Sequence, residues 1–226
     1  MINYEDEKEV IGNEVIVPFL VKEENGDTEI EAYNAVRFEV EDLILHKNIN
    51  CFSKKGIDQI DDALLTYVTS LGYEREICGK YKWYLSYEAR STEDISSGVT
   101  VDGTVKLART HLKLANRTTF DLSELIAKKL EAFIVIRDGA VISIAAVNEH
   151  YKGQKMLEIT VETAVGYRNN GYATSAAAEL ARDLIQKGKS VAYVCSRYNR
   201  SSIKTAKKAG FKYVGRFYAY TAYKLL

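Results

Sequence analysis

The stretch Met156-Leu157-Glu158-Ile159-Thr160-Val161-Glu162-Thr163-Ala164-Val165-Gly166-Tyr167-Arg168-Asn169-Asn170-Gly171-Tyr172-Ala173-Thr174 changes its periodicity midway. From Met156 to Val165, Ile159 and Val161 alternate with Glu158, Thr160 and Glu162, which predicts a strand with one apolar face and one face bearing carboxylates. From Thr174 the period becomes 3.6: Ala177, Leu180, Ala181, Leu184 and Ile185 form one stripe, and Gly188 follows as a C-cap. A strand that passes through a short loop into a helix aims unpaired backbone N–H groups and the positive end of the helix dipole at one point, which makes an anion site. Gly171 lets a ligand approach the backbone with no Cβ in the way, and the small Ala173 does the same in the first turn. Neither the dinucleotide fingerprint G-x-G-x-x-G nor the P-loop string G-x-x-x-x-G-K-[ST] occurs, so both of those phosphate loops are rejected.

Working outward, Ala132 to Ile136 and Ala140 to Val147 are apolar runs rich in Val and Ile, joined by Arg137-Asp138-Gly139. Asp-Gly between two such runs signals a hairpin. Upstream, Asp121-Leu122-Ser123-Glu124 resembles a capping box opening a short helix through Leu130, and Val105 to Ala115 is compatible with another helix. Downstream come a strand at Ser190 to Cys195, Asn199 as N-cap of a helix ending at Gly210, and a Tyr-rich strand region from Phe211 to Leu226. The order is helix, helix, three strands, helix, strand, helix, strand. The fold class expected is α/β in the α+β sense, a mixed sheet flanked by helices.

In the N-terminal half, Glu14 to Val21 and Thr28 to Val40 alternate apolar and polar residues around Asn25-Gly26, a second hairpin signal. Ile57, Ile60, Leu64, Val68 and Leu71 recur at helical spacing before Gly72, and an aromatic strand follows at Tyr81 to Tyr87. The polar, Gly/Ser/Asp-rich segment Ser91 to Gly103 marks the expected domain boundary. This gives an N-terminal α/β domain over 1–103 and a second domain over 104–226.

The 226 residues carry 31 Lys plus Arg against 31 Asp plus Glu, so the chain as a whole lacks the positive field that holds a polyanion. The run Arg197, Arg200, Lys204, Lys207, Lys208, Lys212 is the candidate exception, and it reads more simply as a solvated helix face that attracts phosphates of a small ligand. Cys51, Cys78 and Cys195 are far apart, as are His46, His111 and His150, so neither a disulfide framework nor a metal site is expected. The acidic start Met1-Ile-Asn-Tyr-Glu-Asp-Glu7 lacks a secretory pattern, and no stretch is long enough to span a bilayer. The expected compartment is the cytoplasm, with no membrane partner.

Arg168-x-x-Gly171-x-Ala173 at a strand-to-helix junction resembles the CoA pyrophosphate motif of the GNAT superfamily of N-acetyltransferases, [QR]-x-x-G-x-[GA]. Three further features accord with it: the preceding apolar hairpin, the strand after the helix, and Asn199-x-x-Ser202 opening a helix that ends in Ala209-Gly210-Phe211, similar to the family's N-x-x-[AS]…G-F signature. The likeness covers roughly 104 to 226, and within the superfamily the strings around Glu158–Thr163 and Tyr167–Ala173 look like a bacterial group simply called GNAT acetyltransferases. The N-terminal half contributes nothing to it.

The resemblance implies acetyl-CoA as co-substrate and transfer of its acetyl group to a primary amine of a small molecule or peptide. It implies that backbone groups of Val161 to Thr163 pair with the pantetheine arm and polarise the thioester carbonyl. Amides of Asn169, Asn170, Gly171, Tyr172, Ala173 and Thr174 take the pyrophosphate, Arg168 helps close the loop, and Asn199 and Ser202 line the other side of the cleft; Asn199 as a simple N-cap is an equal alternative. Only a neutral amine is nucleophilic, so a base is needed, and Glu162 and Glu158, on one face about 13 Å apart by strand rise, are the candidates. The sequence departs from the family where many members carry a Tyr seven residues after the Asn to protonate the thiolate: that position is Ala206. Tyr198, Tyr213, Tyr218 or water are open substitutes. Cys195, a thiol beside the cleft, is expected to be inert if buried. The departure at Ala206 also leaves room for a different class, a CoA-binding regulatory or interaction module without catalysis.

Overall fold

The computed structural model describes residues 10–11, 14–24, 27–32, 42, 46–47, 49–50, 53–70, 80–108, 113–115 and 121–223. The Asn25-Gly26 turn, the Gly72 cap, Cys51, Cys78 and His111 lie outside the described residues. Two compact units are present, one comprising 1–84 with 215–226 and the other 85–214.

In the first unit, β1 (Val10–Ile11), β2 (Glu14–Glu24) and β3 (Asp27–Ala32) pair antiparallel, Phe19 standing opposite Ala32 and Glu24 opposite Asp27. The C-terminal part of β11 (Lys212–Tyr223) pairs antiparallel with β2, with Tyr218 opposite Phe19. Helix α1 (Lys54–Ser70) opens where the Ser53 hydroxyl accepts the Gly56 N–H at 3.0 Å, an N-cap the sequence reading did not single out.

The second unit is a mixed α+β sheet with helices on both faces. Its strands are β4 (Lys80–Ala89, from Leu85 onward), β5 (Thr104–Lys106), β6 (Lys113–Leu114), β7 (Ala132–Arg137), β8 (Ala140–Val147), β9 (Met156–Thr163) and β10 (Ser190–Ser196). They lie in the order β4-β10-β9-β8-β7-β5, with β6 alongside β8. The β7–β8 and β8–β9 pairs are antiparallel, whereas β9 and β10 are parallel. β8 is buried from Val141 to Val147, which is why its sequence is an unbroken apolar run rather than an alternation.

Helix α2 (Leu122–Ala127) begins at Asp121, whose carboxylate accepts the N–H groups of Ser123 and Glu124, and it buries Leu122 and Leu125 against Ile134, Val141 and Ile144 on one face of the sheet. Helix α3 (Tyr172–Gln186) covers the other face. Ala176, Ala177, Ala178 and Ala181 are fully buried there, and their small side chains bring the helix axis close to the strands. Helix α4 (Arg200–Ala209) buries Ala206 and Ala209 and joins the same core through Phe211.

The structure departs from two sequence expectations. Among the described residues of Val105 to Ala115 none is helical: Val105 and Lys106 belong to β5, and Lys113 and Leu114 form β6. The outer edge of β7 offers backbone partners that a short, irregularly patterned helix cannot match; Thr104 pairs opposite Val135, and the Leu107 N–H donates to the Ala132 carbonyl. The segment 91–103 is no linker, since it lies within the second unit, strapped across α3. The Val101 N–H donates to the Ser175 hydroxyl at 2.9 Å, Thr104 Oγ1 lies 2.7 Å from that hydroxyl, and Arg182 donates to the Ser96 carbonyl at 2.6 Å. Main-chain groups of the segment thus meet polar side chains of the helix, while Ser97, Thr100 and Asp102 remain exposed.

The strap also meets the end of α4. Gly210 is left-handed at φ 104°, and a Cβ there would stand 2.1 Å from the Asp94 carbonyl oxygen. Asp94 itself is held by Lys212 and by the N–H groups of Arg90 and Ser91, which keep its carboxyl down at about 2. Gly210→Ala is therefore expected to destabilise this unit by roughly 2 to 4 kcal/mol, combining backbone strain with a clash against main chain. Denaturant titration of the purified variant checks it; a loss below about 0.5 kcal/mol, the scatter of neutral surface changes, overturns the close approach.

Candidate active site

The site is built where β9 and β10 part. Their parallel pairing runs from Ser190 opposite Met156 to Tyr193 opposite Ile159 and stops, although β9 continues to Thr163 and β10 to Ser196. On the other side of β9, the Asn148 N–H donates to the Glu158 carbonyl and the Ala164 N–H to the Ile142 carbonyl, each at 2.8 Å. Even-numbered residues of β9 therefore bond to β8, and the backbone of Ile159, Val161 and Thr163 points toward β10. Ile159 has a partner there, while Val161 and Thr163 face the opening. The sheet thus presents main-chain donors and acceptors, ready for an amide-bearing chain, along one wall of a cleft.

At the mouth, Gly166 (φ 95°), Asn169 (φ 68°) and Gly171 (φ 82°) are left-handed, so the loop curls its N–H groups into a concavity. Arg168 Nε donates to the Thr163 carbonyl at 3.1 Å, tying the loop to the end of β9, and the Asn170 amide donates to the Tyr167 and Arg168 carbonyls. Gly171 is the N-cap of α3 and no side chain caps the helix; the first turn contains no acidic residue, and nothing lies within 4 Å of where a Gly171 Cβ would be. The leading N–H groups of α3, at Tyr172, Ala173 and Thr174, point past the helix end by its geometry. The Arg137 guanidinium sits 5.5 Å from the centroid of the Tyr172 ring and donates to the carbonyls of Asp102 and Ile136. The hairpin reading of Arg137-Asp138-Gly139 gave no hint of this placement.

Of the candidate carboxylates, Glu162 and Glu158 are half-buried on the α2 side of β9, four residues apart on one face. The Asn148 side-chain amide donates to Glu158 at 3.3 Å. Beside Glu162, the buried Ser143 hydroxyl donates to the Glu162 carbonyl at 3.0 Å and lies 2.8 Å from Thr163 Oγ1, locking the end of β9 to β8. Ser143 carries no sequence signal, because one Ser within an apolar strand reads as filler.

Across the cleft, the Asn199 side chain accepts the Ser202 N–H at 3.1 Å and caps α4. Ser202 Oγ lies 3.0 Å from the Tyr193 hydroxyl. Burial pushes the Tyr193 phenol up to about 12, with the Ser202 hydroxyl acting the other way. Burial likewise pushes the Cys195 thiol up, again with Ser202 in opposition, so little thiolate is present for acylation. Ala206 is fully buried. Tyr198 is exposed beneath the Arg197 guanidinium, Tyr213 packs edge-on against Tyr87, and the Tyr218 side chain lies outside the described residues. Arg200, Lys204, Lys207 and Lys208 form an exposed row on α4. Among the described residues no group of three His, Cys, Asp or Glu is placed to hold a metal ion, and no helix is long and apolar enough to cross a membrane.

Comparison with known proteins bears on this arrangement. No curated protein matches the chain in sequence. Among solved structures, an acetyltransferase from the GNAT family of Colwellia psychrerythraea superposes with a TM-score of 0.52 at 14% identity, over 92% of this chain and 81% of that one. A Drosophila protein superposes with a TM-score of 0.52 at 12% identity, over 72% of this chain and 56% of that one. A GNAT-family protein from Novosphingobium aromaticivorans gives 0.48 at 17% identity, over 65% of this chain and 66% of that one, just under two thirds of its length. The Colwellia likeness shows the fold. The sequence profile described as GNAT acetyltransferase matches residues 121–223, a span that includes the parted strands, the left-handed loop and the capped helix α4. The C-terminal half of this chain, over residues 121–223, therefore belongs to the GNAT acetyltransferase family.

Proposed function

We propose that this protein is an acetyl-CoA-dependent N-acetyltransferase that acylates a primary amine by direct attack within a ternary complex. The observation that carries this reading is the parting of β9 from β10 beside an uncapped helix N-terminus, within a domain of a family that implies acyl-CoA-dependent acetylation. The residues fit the co-substrate at both ends. Left-handed Gly166, Asn169 and Gly171 turn main-chain N–H groups of residues 169–174 toward a pyrophosphate, and the backbone of Val161 and Thr163 meets the amides of a pantetheine arm.

When bound, acetyl-CoA supplies an activated acyl group. The Val161 N–H, facing the cleft, donates to the thioester carbonyl oxygen and strengthens that bond as negative charge develops there. Glu162 takes a proton from the incoming ammonium, directly or through water, so that the neutral amine attacks; Glu158, held by Asn148, is the second candidate. Arg168 keeps the loop fastened to β9. Asn199 fixes the start of α4 and so the far wall of the cleft.

A second reading, CoA binding without catalysis, is favoured by one observation: fully buried Ala206 occupies the place of the usual general acid. Calorimetric titration with CoA, together with an acetyl-transfer assay on a panel of small amines, polyamines and lysine peptides, separates the two. Binding with turnover supports the transferase, binding without turnover on any acceptor supports the module, and absence of CoA binding overturns both.

A further inference from the structure

Ala206 leaves the departing sulfur without the family's partner on α4, yet the same helix face carries a hydroxyl one turn earlier. Residues 202 and 206 are separated by four positions and so stand one above the other. Ser202 is half-buried, and its Oγ meets the hydroxyl of Tyr193, a side chain only 3% exposed. Tyr193 is the last residue of β10 still paired with β9, so this phenol marks the apex of the opening. It reaches α4 from the strand and packs in one core with Ala206 and Phe211, its ring 5.5 Å from that of Phe211. On the facing wall, Val161 is two residues beyond the apex, and paired strands are about 5 Å apart. A thioester whose oxygen is held at Val161 lies between this strand and the wall that carries Tyr193 and Ser202, within reach of a hydroxyl donor there.

We propose that the Ser202 hydroxyl, oriented by the Tyr193 phenol, donates a hydrogen bond to the CoA sulfur and stabilises the thiolate as the C–S bond breaks. This rests on the acetyl-CoA reading above. Ser202 is the catalytic donor, and Tyr193 is a positioning residue. The amine nitrogen bonds to the carbonyl carbon, the C–S bond breaks with its electron pair on sulfur, and the thiolate takes up the proton that the nitrogen loses as the amide forms. A phenol raised by burial keeps its own proton at neutral pH, so Tyr193 remains a donor to Ser202 throughout turnover.

Titration of the bound CoA thiol tests this without an acceptor amine. The ultraviolet absorbance of the thiolate is followed against pH for the CoA-saturated protein, with the same protein free of ligand subtracted to remove its own cysteines and tyrosines. In the wild type the bound thiol should ionise more readily than in Ser202→Ala or Tyr193→Phe, each of which raises its proton affinity about tenfold, the scale of one hydrogen bond to a charged group. Ser202→Thr, which keeps the hydroxyl, should restore the wild-type curve. Calorimetry below the thiol's titration range fixes the CoA concentration that saturates each of the four proteins, so that every titration reads bound thiol. Identical thiol titrations in wild type, Ser202→Ala and Tyr193→Phe overturn the proposal while leaving the acetyl-CoA reading intact. Failure of the wild type to bind CoA overturns that reading, and this proposal with it.

Discussion

Gly171→Glu should give a folded protein that no longer binds CoA at millimolar concentration. Two effects combine. Gly171 sits at φ 82°, where a residue with a Cβ costs about 1 to 2 kcal/mol, a strain the folded protein can carry because nothing lies within 4 Å of the new Cβ. The larger effect is electrostatic. The helix start binds an anion through its partial positive charge and its free N–H groups, and a carboxylate at the N-cap both neutralises that field and accepts the N–H groups itself. Two like charges about 5 Å apart near a protein surface repel by about 3 kcal/mol. Together these terms weaken binding by roughly a thousandfold. Gly171→Ala separates them, since it keeps the strain without the charge and should lose no more than about tenfold. Isothermal calorimetry on both, with circular dichroism to verify the fold, reads the result. An unchanged affinity in folded Gly171→Glu places the pyrophosphate elsewhere.

Glu162→Gln should lower turnover by roughly two to four powers of ten while CoA affinity persists. The substitution keeps shape and removes the charge, and the main-chain bond from Ser143 to the Glu162 carbonyl does not depend on the side chain. The cost falls on the acceptor amine, which arrives as an ammonium and must lose a proton before it can attack. Without the carboxylate that proton goes to solvent, so the residual rate should climb with pH until the free amine predominates. The measurement is kcat against pH for an acceptor identified from the amine panel, beside Glu158→Gln under the same conditions. If Glu158→Gln loses turnover and Glu162→Gln does not, the base is Glu158. Should both retain wild-type rates at neutral pH, neither carboxylate is the base and the mechanism proposed above fails.

Where local signals were dense, the chain reads directly. The alternation through Glu158, Thr160 and Glu162 made β9, the Ala-rich stripe from Ala177 to Leu184 made α3, and Asp138-Gly139 made the β7–β8 turn, because each signal acts over a few neighbouring residues. The string Arg168-x-x-Gly171-x-Ala173 likewise pointed to an anion loop, since left-handed backbone at a strand-to-helix junction needs Gly or Asn in fixed places. Val105 to Ala115 was misread for the complementary reason. A stretch with weak local preference takes the conformation that satisfies a neighbour's backbone, and the edge of β7 is far away in sequence.

Other features belong to the tertiary structure alone. That β9 and β10 stop pairing after Ile159 and Tyr193, thereby exposing the backbone of Val161 and Thr163, depends on two strands separated by a whole helix. The strap from Ser91 to Thr104 reads as a polar linker until Ser175 and Arg182 of α3 are seen to receive it. The Tyr193–Ser202 contact joins a strand to the following helix nine residues on, and among sixteen tyrosines no local pattern distinguishes this one. The sequence by itself determined the strands and helices from Ala132 to Gly210 and the left-handed turn at Gly171, because helical and strand periods and left-handed turns are set by nearest neighbours. Only the tertiary structure decided which backbone groups are left facing the cleft and which hydroxyls meet on its far wall, because those follow from where distant strands diverge.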